Sequence, residues 1–124
     1  MEIMILGLTL QIQMSKINKR KLTLSYIKAF NDKNIHEVLL LCDENIYLKD
    51  PNNELFNKKE LKDFLLDFFK NDISFSAKEV ITDDETKHDH STIHFTLKVN
   101  DETFDGVDII KWKNGKIVSL IAYL

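Results

Sequence analysis

The chain has 124 residues, 44% of them hydrophobic, with only three glycines and one proline, which fits one compact domain with a sizeable core and little linker. Its 17 basic and 20 acidic side chains leave a net charge of −3, and the one basic cluster, Lys16, Lys19, Arg20 and Lys21, is too small for a groove that tracks nucleic-acid phosphates. A single cysteine, Cys42, excludes an internal disulfide and makes a reducing, cytoplasmic compartment the default expectation.

The opening segment MEIMILGLTLQIQM is apolar and precedes the charged run SKINKRK. It makes a poor targeting sequence. Glu2 stands where Lys or Arg belongs, no small-residue cleavage site follows, and the run is too short to span a bilayer. Met14 just ahead of a polar helix start points to a natural beginning there, with residues 1–14 an N-terminal extension and residues 15–124 a single domain. An additional strand or a frayed tail are the other readings of the extension.

From Leu22 onward, Leu22, Tyr26, Ile27 and Phe30 recur at helical spacing, and Ile35, Val38, Leu39 and Cys42 repeat the pattern in a second short helix, with Cys42 a small buried hydrophobe on its face. Asn34 and Glu37 read as the capping box that opens this second helix. A third helix follows, opened by Asn57 and Glu60 and striped by Leu61, Phe64, Leu65, Phe68 and Phe69. Strands are expected over Ile46–Asp50, which ends at Pro51, then over Ile73–Thr82, Thr92–Val99, Thr103–Lys113 and Ile117–Leu124. Asn100 and Asp101 make one turn, and Asn114-Gly115 gives the strongest hairpin signal. Helices grouped first and strands grouped last predict an α+β fold rather than a parallel sheet. The last strand reads as apolar on both faces, Ile117, Ile121 and Tyr123 against Val118, Leu120 and Leu124, so a homodimer through the sheet face left open by the helices is expected.

Alternation along Thr103–Lys113 puts Phe104, Gly106, Asp108, Ile110 and Trp112 on one face, apolar except for Asp108. A carboxyl there loses hydration and its pKa rises. Full protonation at neutral pH corresponds to about 4 kcal/mol against the carboxylate, and a register slip would return the group to solvent. Asp50 closes a strand whose same face carries Ile46 and Leu48. Tyr26 lies on the buried stripe of the first helix, where its phenol needs a partner. Singly, a buried Tyr is most often core and an Asp before Pro most often a turn residue. Three polar tips converging on one apolar space are instead the pattern of a small-molecule site.

At these residues the chain resembles a known family. The segments SYIKAFNDKNIHEVLLLCDENIYLKDP and FDGVDIIKWKNGKIVSLIAYL are similar to the opening and the closing hairpin of the nuclear transport factor 2-like (SnoaL-like) superfamily, over about Leu22 to the end. The nearest match within it is ketosteroid isomerase. The resemblance implies a cone-shaped, curved antiparallel sheet packed against about three N-terminal helices. It also implies a pocket in which Asp50 is the general base while Tyr26 and a protonated Asp108 form an oxyanion hole, with no metal or cofactor. Phe30, Phe64, Phe95, Phe104, Ile110 and Trp112 are then the expected ligand-binding side chains, and a small apolar molecule the expected partner, with no nucleic acid or membrane. The loop Asn52–Phe56 is polar where a steroid pocket calls for apolar side chains.

Other relatives of the superfamily fit less well. An epoxide hydrolase-like site needs an arginine between two aspartates, and Arg20, outside the core segments, is the only arginine. A scytalone dehydratase-like site needs buried histidines, whereas His90 and His94 share a polar strand face. A polyketide cyclase-like reading, with a pocket Asp, and a non-catalytic binding module of the same fold are the alternatives that stand. His88 and His90 point the same way, but His94 lies about 13 Å beyond His90, too far to join a metal set. Nothing basic is placed to activate Cys42 as a nucleophile.

Overall fold

The computed structural model of the protein describes residues 19–82 and 89–124. The proposed extension at residues 1–14, Lys16 of the basic cluster and His88 lie outside these residues.

Helix α1 covers residues 19–31. Its buried stripe is Thr23, Tyr26 and Ala29, with Leu22, Ile27 and Phe30 only partly covered. The stripe thus differs from the apolar pattern because Thr23 is satisfied in place: its hydroxyl donates to the Lys19 carbonyl at 2.6 Å and lies 2.9 Å from Ser91 Oγ. Two residues past the helix, Lys33 takes the left-handed conformation at φ +54°. Asn34 N–H then reaches back to the Ala29 carbonyl and Lys33 N–H to that of Phe30, so the last carbonyls are satisfied and the chain turns sharply. Asn34 also caps helix α2 (Ile35–Leu40), accepting from Glu37 N–H at 3.1 Å. One residue therefore ends one helix and starts the next.

Helix α3 (Lys58–Phe68) begins as the sequence predicts, with Asn57 accepting from Glu60 N–H at 2.8 Å. Glu60 reaches back to Phe56 N–H rather than to that of Asn57. Cys42 departs from expectation. Helix α2 stops at Leu40, and Cys42 is the first residue of strand β1 (Cys42–Lys49), still buried, with its thiol 3.2 Å from the Val38 carbonyl. Strand β1 thus starts four residues before Ile46.

The remaining strands are β2 (Glu54–Leu55), β3 (Ile73–Thr82), β4 (His90–Val99), β5 (Glu102–Lys113) and β6 (Lys116–Tyr123). They form one unclosed, curved sheet in the order β2-β1-β6-β5-β4-β3. All neighbouring pairs are antiparallel except β1 and β6, which run parallel. Asn114 and Gly115 both take positive φ, as a tight two-residue hairpin requires. Three register shifts, between Ala77 and Glu79, between Lys111 and Trp112, and between Cys42 and Tyr47, bend the sheet around the helices.

The second of these shifts corrects the reading of β6. Trp112 stands opposite Ile117 and Lys111 opposite Ser119, so Val118 is an extra residue and the alternation changes phase across it. Ile117 and Leu120 are consequently both buried on the inner face, whereas strict period-two alternation puts them on opposite faces. Ile121 and Tyr123 remain on the outer face.

The core lies between the helices and the inner face of the sheet, around Ile46, Leu61, Leu65, Ile93, Phe95 and Ile117. At one end Trp112 Nε1 donates to Ser91 Oγ at 2.9 Å, and Ser91 meets Thr23 of α1, a buried polar chain that ties the first helix to β4 and β5. Among the described residues no helix is long and apolar enough to cross a membrane.

Gly106 on β5 has no room for a side chain. A Cβ there would stand 2.6 Å from Leu124 Cδ2, 2.7 Å from Phe95 Cζ and 2.8 Å from the Tyr123 carbonyl oxygen. The side-chain ends can yield, but the carbonyl belongs to the neighbouring strand. Gly106→Ala is expected to destabilise the protein by about 1–3 kcal/mol, read as a lowered urea midpoint at unchanged slope; an unaltered midpoint would show that β6 moves freely.

Candidate active site

A cavity of about 300 Å³ opens between α1, α3 and the inner face of the sheet. Five phenylalanines wall it: Phe30 from α1, Phe64 and Phe68 from α3, Phe95 from β4 and Phe104 from β5. The Phe64 and Phe68 rings stack at 5.4 Å and 14°, and Phe30 lies 6.0 Å from Phe68 and 6.1 Å from Tyr26. A continuous aromatic row therefore runs from α3 to the Tyr26 phenol. Leu48, Leu97, Val99, Leu120, Ala122 and Leu124 complete the apolar surface, and Asp50, Asn52, Asn53 and Glu102 are the cavity's polar lining. The volume lies at the small end of ligand sites.

Asp50 lines this cavity just beyond β1. Its Oδ1 accepts from Asn52 N–H at 2.8 Å, Asn53 N–H at 2.7 Å and Asn53 Nδ2 at 3.1 Å, while Oδ2 accepts only from Asn53 Nδ2, also at 3.1 Å. One carboxylate oxygen thus builds the turn and the other is freer to meet a ligand. The polar loop residues next to Pro51 fix the direction of the carboxylate.

Asp108 is buried on the inner face of β5, 4% exposed, between Ile93 of β4 and Ala122 of β6. Its carboxyl does not line the cavity, but the adjoining Ala122 and the Tyr26 phenol do. Burial raises its pKa to about 7, and the charge of the nearby Asp50 adds to the rise. Tyr26 is held well above the usual phenol range, chiefly by burial and then by the charges of Asp108 and Cys42, so its hydroxyl stays a donor. Among the described residues neither the Tyr26 hydroxyl nor the Asp108 carboxyl forms a hydrogen bond, and no side-chain polar atom is sealed off without a partner. Both tips therefore keep some contact with open space.

Of the six side chains expected around a ligand, Phe30, Phe64, Phe95 and Phe104 line the cavity, and Ile110 and Trp112 do not. The cavity occupies the Phe104 end of β5, and each further pair of residues moves about 7 Å along the strand. Ile110 and Trp112 lie beyond Asp108 and fill the packed core instead, where the Trp112 indole is engaged by Ser91. Cys42 faces a separate apolar void of about 40 Å³, and burial pushes its thiol to about 12 despite the nearby Lys58 and Lys116. Arg20 is on the surface, donating to the Val80 carbonyl. Sequence reading missed Glu102 and Phe68 as lining residues, and it named Asn52 and Asn53 only as part of a polar loop at the pocket. For Glu102 a signal was present: it shares the parity of Phe104, Gly106 and Asp108 on β5.

An α+β fold of this topology, with a curved sheet folded around an apolar pocket, is one that several enzymes of low sequence identity share. The chain belongs to the SnoaL-like domain family, whose model matches residues 24–120, within the nuclear transport factor 2-like superfamily. No curated protein matches its sequence significantly. Its fold is similar to that of a candidate ketosteroid isomerase from Kribbella flavida DSM 17836, at TM-score 0.75 and 16% identity over 86% of this chain and 76% of that one. It is also similar to a candidate polyketide cyclase from Sinorhizobium meliloti, at TM-score 0.73 and 10% identity over 82% and 93% of the two chains. An LEH-like epoxide hydrolase from M. tuberculosis shares the fold at TM-score 0.74 and 8% identity, over 86% and 82%. At these identities the likeness is one of fold.

The Asp108 environment has a consequence for stability. In the unfolded chain an aspartate titrates near pH 4, roughly, and in the folded protein this one titrates at about 7. Between those values the folded state binds the extra proton, so stability falls as pH rises from about 4 through about 7. Asp108→Asn is expected to flatten that decline, by on the order of 4 kcal/mol near neutrality and above. Urea titrations of both proteins across this range check it; parallel pH profiles would mean that Asp108 is solvated.

Proposed function

We propose that the cavity binds a small, largely apolar molecule carrying a carbonyl oxygen and shifts a proton within it, in the manner of ketosteroid isomerase. Asp50 removes a proton from the carbon next to the carbonyl, the developing enolate oxygen accepts hydrogen bonds from Tyr26 and from protonated Asp108, and Asp50 returns the proton to another carbon of the conjugated system. No net change in charge or oxidation accompanies the cycle. The observation that carries this reading is that Tyr26 and the hydrogen-bonded Asp50 line one cavity while Asp108, buried and titrating at about 7, lies directly behind its Ala122 wall. Epoxide hydrolysis has less support, since Arg20 lies away from the cavity. The small cavity and the polar Asn52 and Asn53 favour a substrate smaller than a steroid.

A non-catalytic pocket is the second reading, and the turn around Asp50 favours it, because three hydrogen bonds to Oδ1 give that carboxylate a structural role. A polyketide cyclase-like reaction at the same aspartate belongs with the first reading. Asp50→Asn separates the two. Asparagine keeps an oxygen for the turn but has no basicity, so isomerisation of a small β,γ-unsaturated ketone, followed by the absorbance of the conjugated product, is expected to fall about 10²-fold or more while binding of the product persists. Tyr26→Phe is expected to cost a similar factor. Turnover unchanged in Asp50→Asn would leave only the binding reading.

The same reading includes a homodimer through the outer face of the sheet and a cytoplasmic location. The exposed Tyr123 and Ile109 on that face support the dimer, as does a groove of about 420 Å³ at its end, where Tyr47, Ile121 and Tyr123 meet Lys49, Asp50 and Pro51. The single free thiol, Cys42, accords with a reducing compartment. Sedimentation is expected to give twice the chain mass, and a monomer after Ile109→Lys; a monomeric parent protein would overturn this part.

A further inference from the structure

Where the cavity ends, a second apolar space begins. It is the void of about 40 Å³, and Tyr26 and Phe30 of α1, Leu48 of β1, Phe64 of α3 and Leu120 of β6 border both spaces. Each element orders the two in the same way. Along the parallel pair of β1 and β6, Leu48 stands beside Leu120 and Cys42 beside Ile117. The cavity lies on the Asp50 and Ala122 side of the two leucines, and the void on the Ile46 and Ile117 side. On α3, Phe68 faces the cavity, Phe64 both spaces, and Leu61 and Leu65 the void. The void is thus the deep end of one line of apolar space, and Tyr26 stands where its two parts meet. Val38, Cys42, Ile46, Leu61, Leu65 and Ile117 close it, each at most 3% exposed. Water has little hold there, since a buried water needs about two to four polar partners. The Cys42 thiol is engaged by the Val38 carbonyl at 3.2 Å, which leaves at most the Tyr26 hydroxyl. Side chains around an empty space of this kind forgo contacts that an apolar group of one or two carbons would restore.

From this alignment we infer that the void is a subsite for a short alkyl group, and that the ligand is a ketone whose arm away from Asp50 is methyl or ethyl. The direction of the ketone rests on the proton-transfer reading above, in which the carbonyl oxygen lies at Tyr26; the subsite does not. With the oxygen at that boundary, the arm that gives up a proton runs along the cavity to Asp50, and the other arm points toward Ile46 and Cys42. Within that reading, the inference narrows the substrate class from carbonyl compounds in general to alkyl ketones. It excludes a carboxylate, whose charge would lose its hydration there, and a branched or ring-closed group on the deep arm. Val38 of α2 and Cys42 of β1, which border the void but not the cavity, are then the residues that limit the length of that arm.

Four conjugated ketones test this on the full chain by calorimetric titration at neutral pH: methyl, ethyl and tert-butyl styryl ketone, and the methyl ketone with a para-methyl group on its ring. The ethyl ketone and the ring-methylated one are isomers that differ in which end carries the additional carbon. The ethyl ketone is expected to bind about threefold more tightly than that isomer, and the tert-butyl ketone more weakly than the methyl ketone. Val38→Ile adds one carbon to the wall of the void and is expected to abolish the ethyl ketone's advantage over its isomer. Ile117→Val removes one carbon and is expected to narrow the deficit of the tert-butyl ketone, which decides the matter should Val38→Ile not fold. An ethyl ketone that binds no more tightly than its isomer would overturn the inference, as would an advantage that survives in Val38→Ile. If all four bind alike and lose affinity in Tyr26→Phe, the subsite inference falls and the pocket reading stands; if none binds, both fall.

Discussion

The inner face of β5 is the constraint on which the other parts of this molecule depend. Five alternate positions, Phe104 to Trp112, must all face the helices, and each meets a different demand. Trp112 closes the far end through Ser91 and Thr23, Ile110 fills the centre, Gly106 lets Phe95 and Leu124 approach the backbone, and Phe104 walls the cavity. Asp108 is carried into the same dry layer by the same alternation. The strand cannot turn it to solvent without exposing its four neighbours, so apolar burial elsewhere on the strand offsets the cost of holding one carboxyl out of water.

That arrangement separates two carboxyl groups by environment. Asp50 sits at a turn where backbone N–H groups donate to it, whereas Asp108 has no hydrogen-bond donor among the described residues and is buried beside Ile93 and Ala122, near the Tyr26 phenol. A carboxyl held as dry as Asp108 keeps its proton far closer to neutral pH than an exposed aspartate does. Tyr26 joins them because α1 is held by the Thr23 link at one end and by the turn at Lys33 at the other. The helix can neither slide nor roll without breaking one of these, and the phenol keeps its place beside the aromatic row.

Much of this was legible in the chain itself. Asn34, Asn57 and Asn114-Gly115 act locally, through hydrogen bonds or backbone conformations within a few residues, so the helix starts and the hairpin they mark are where they were read. Period-two alternation likewise put Asp108 on an apolar face, and helical spacing put Tyr26 on a buried one. Cys42 and β6 were misread for a related reason. A helix end and a bulge each change the local period, and neither the early stop of α2 nor the extra residue Val118 leaves a mark in hydrophobicity. Glu102 was passed over although its parity was readable, because an acid beside a turn looks like a solvated one.

The sequence alone therefore determined the α+β class, most elements and the faces on which the three polar side chains lie, since these follow from local propensity and periodicity. Only the tertiary structure decided where along β5 the cavity stops, that Ile110 and Trp112 fill core while Phe104 and Glu102 meet open space, and that β1 lies parallel to β6. Those outcomes depend on how α1 and α3 sit across a bent sheet, which is set by contacts between residues far apart in the chain.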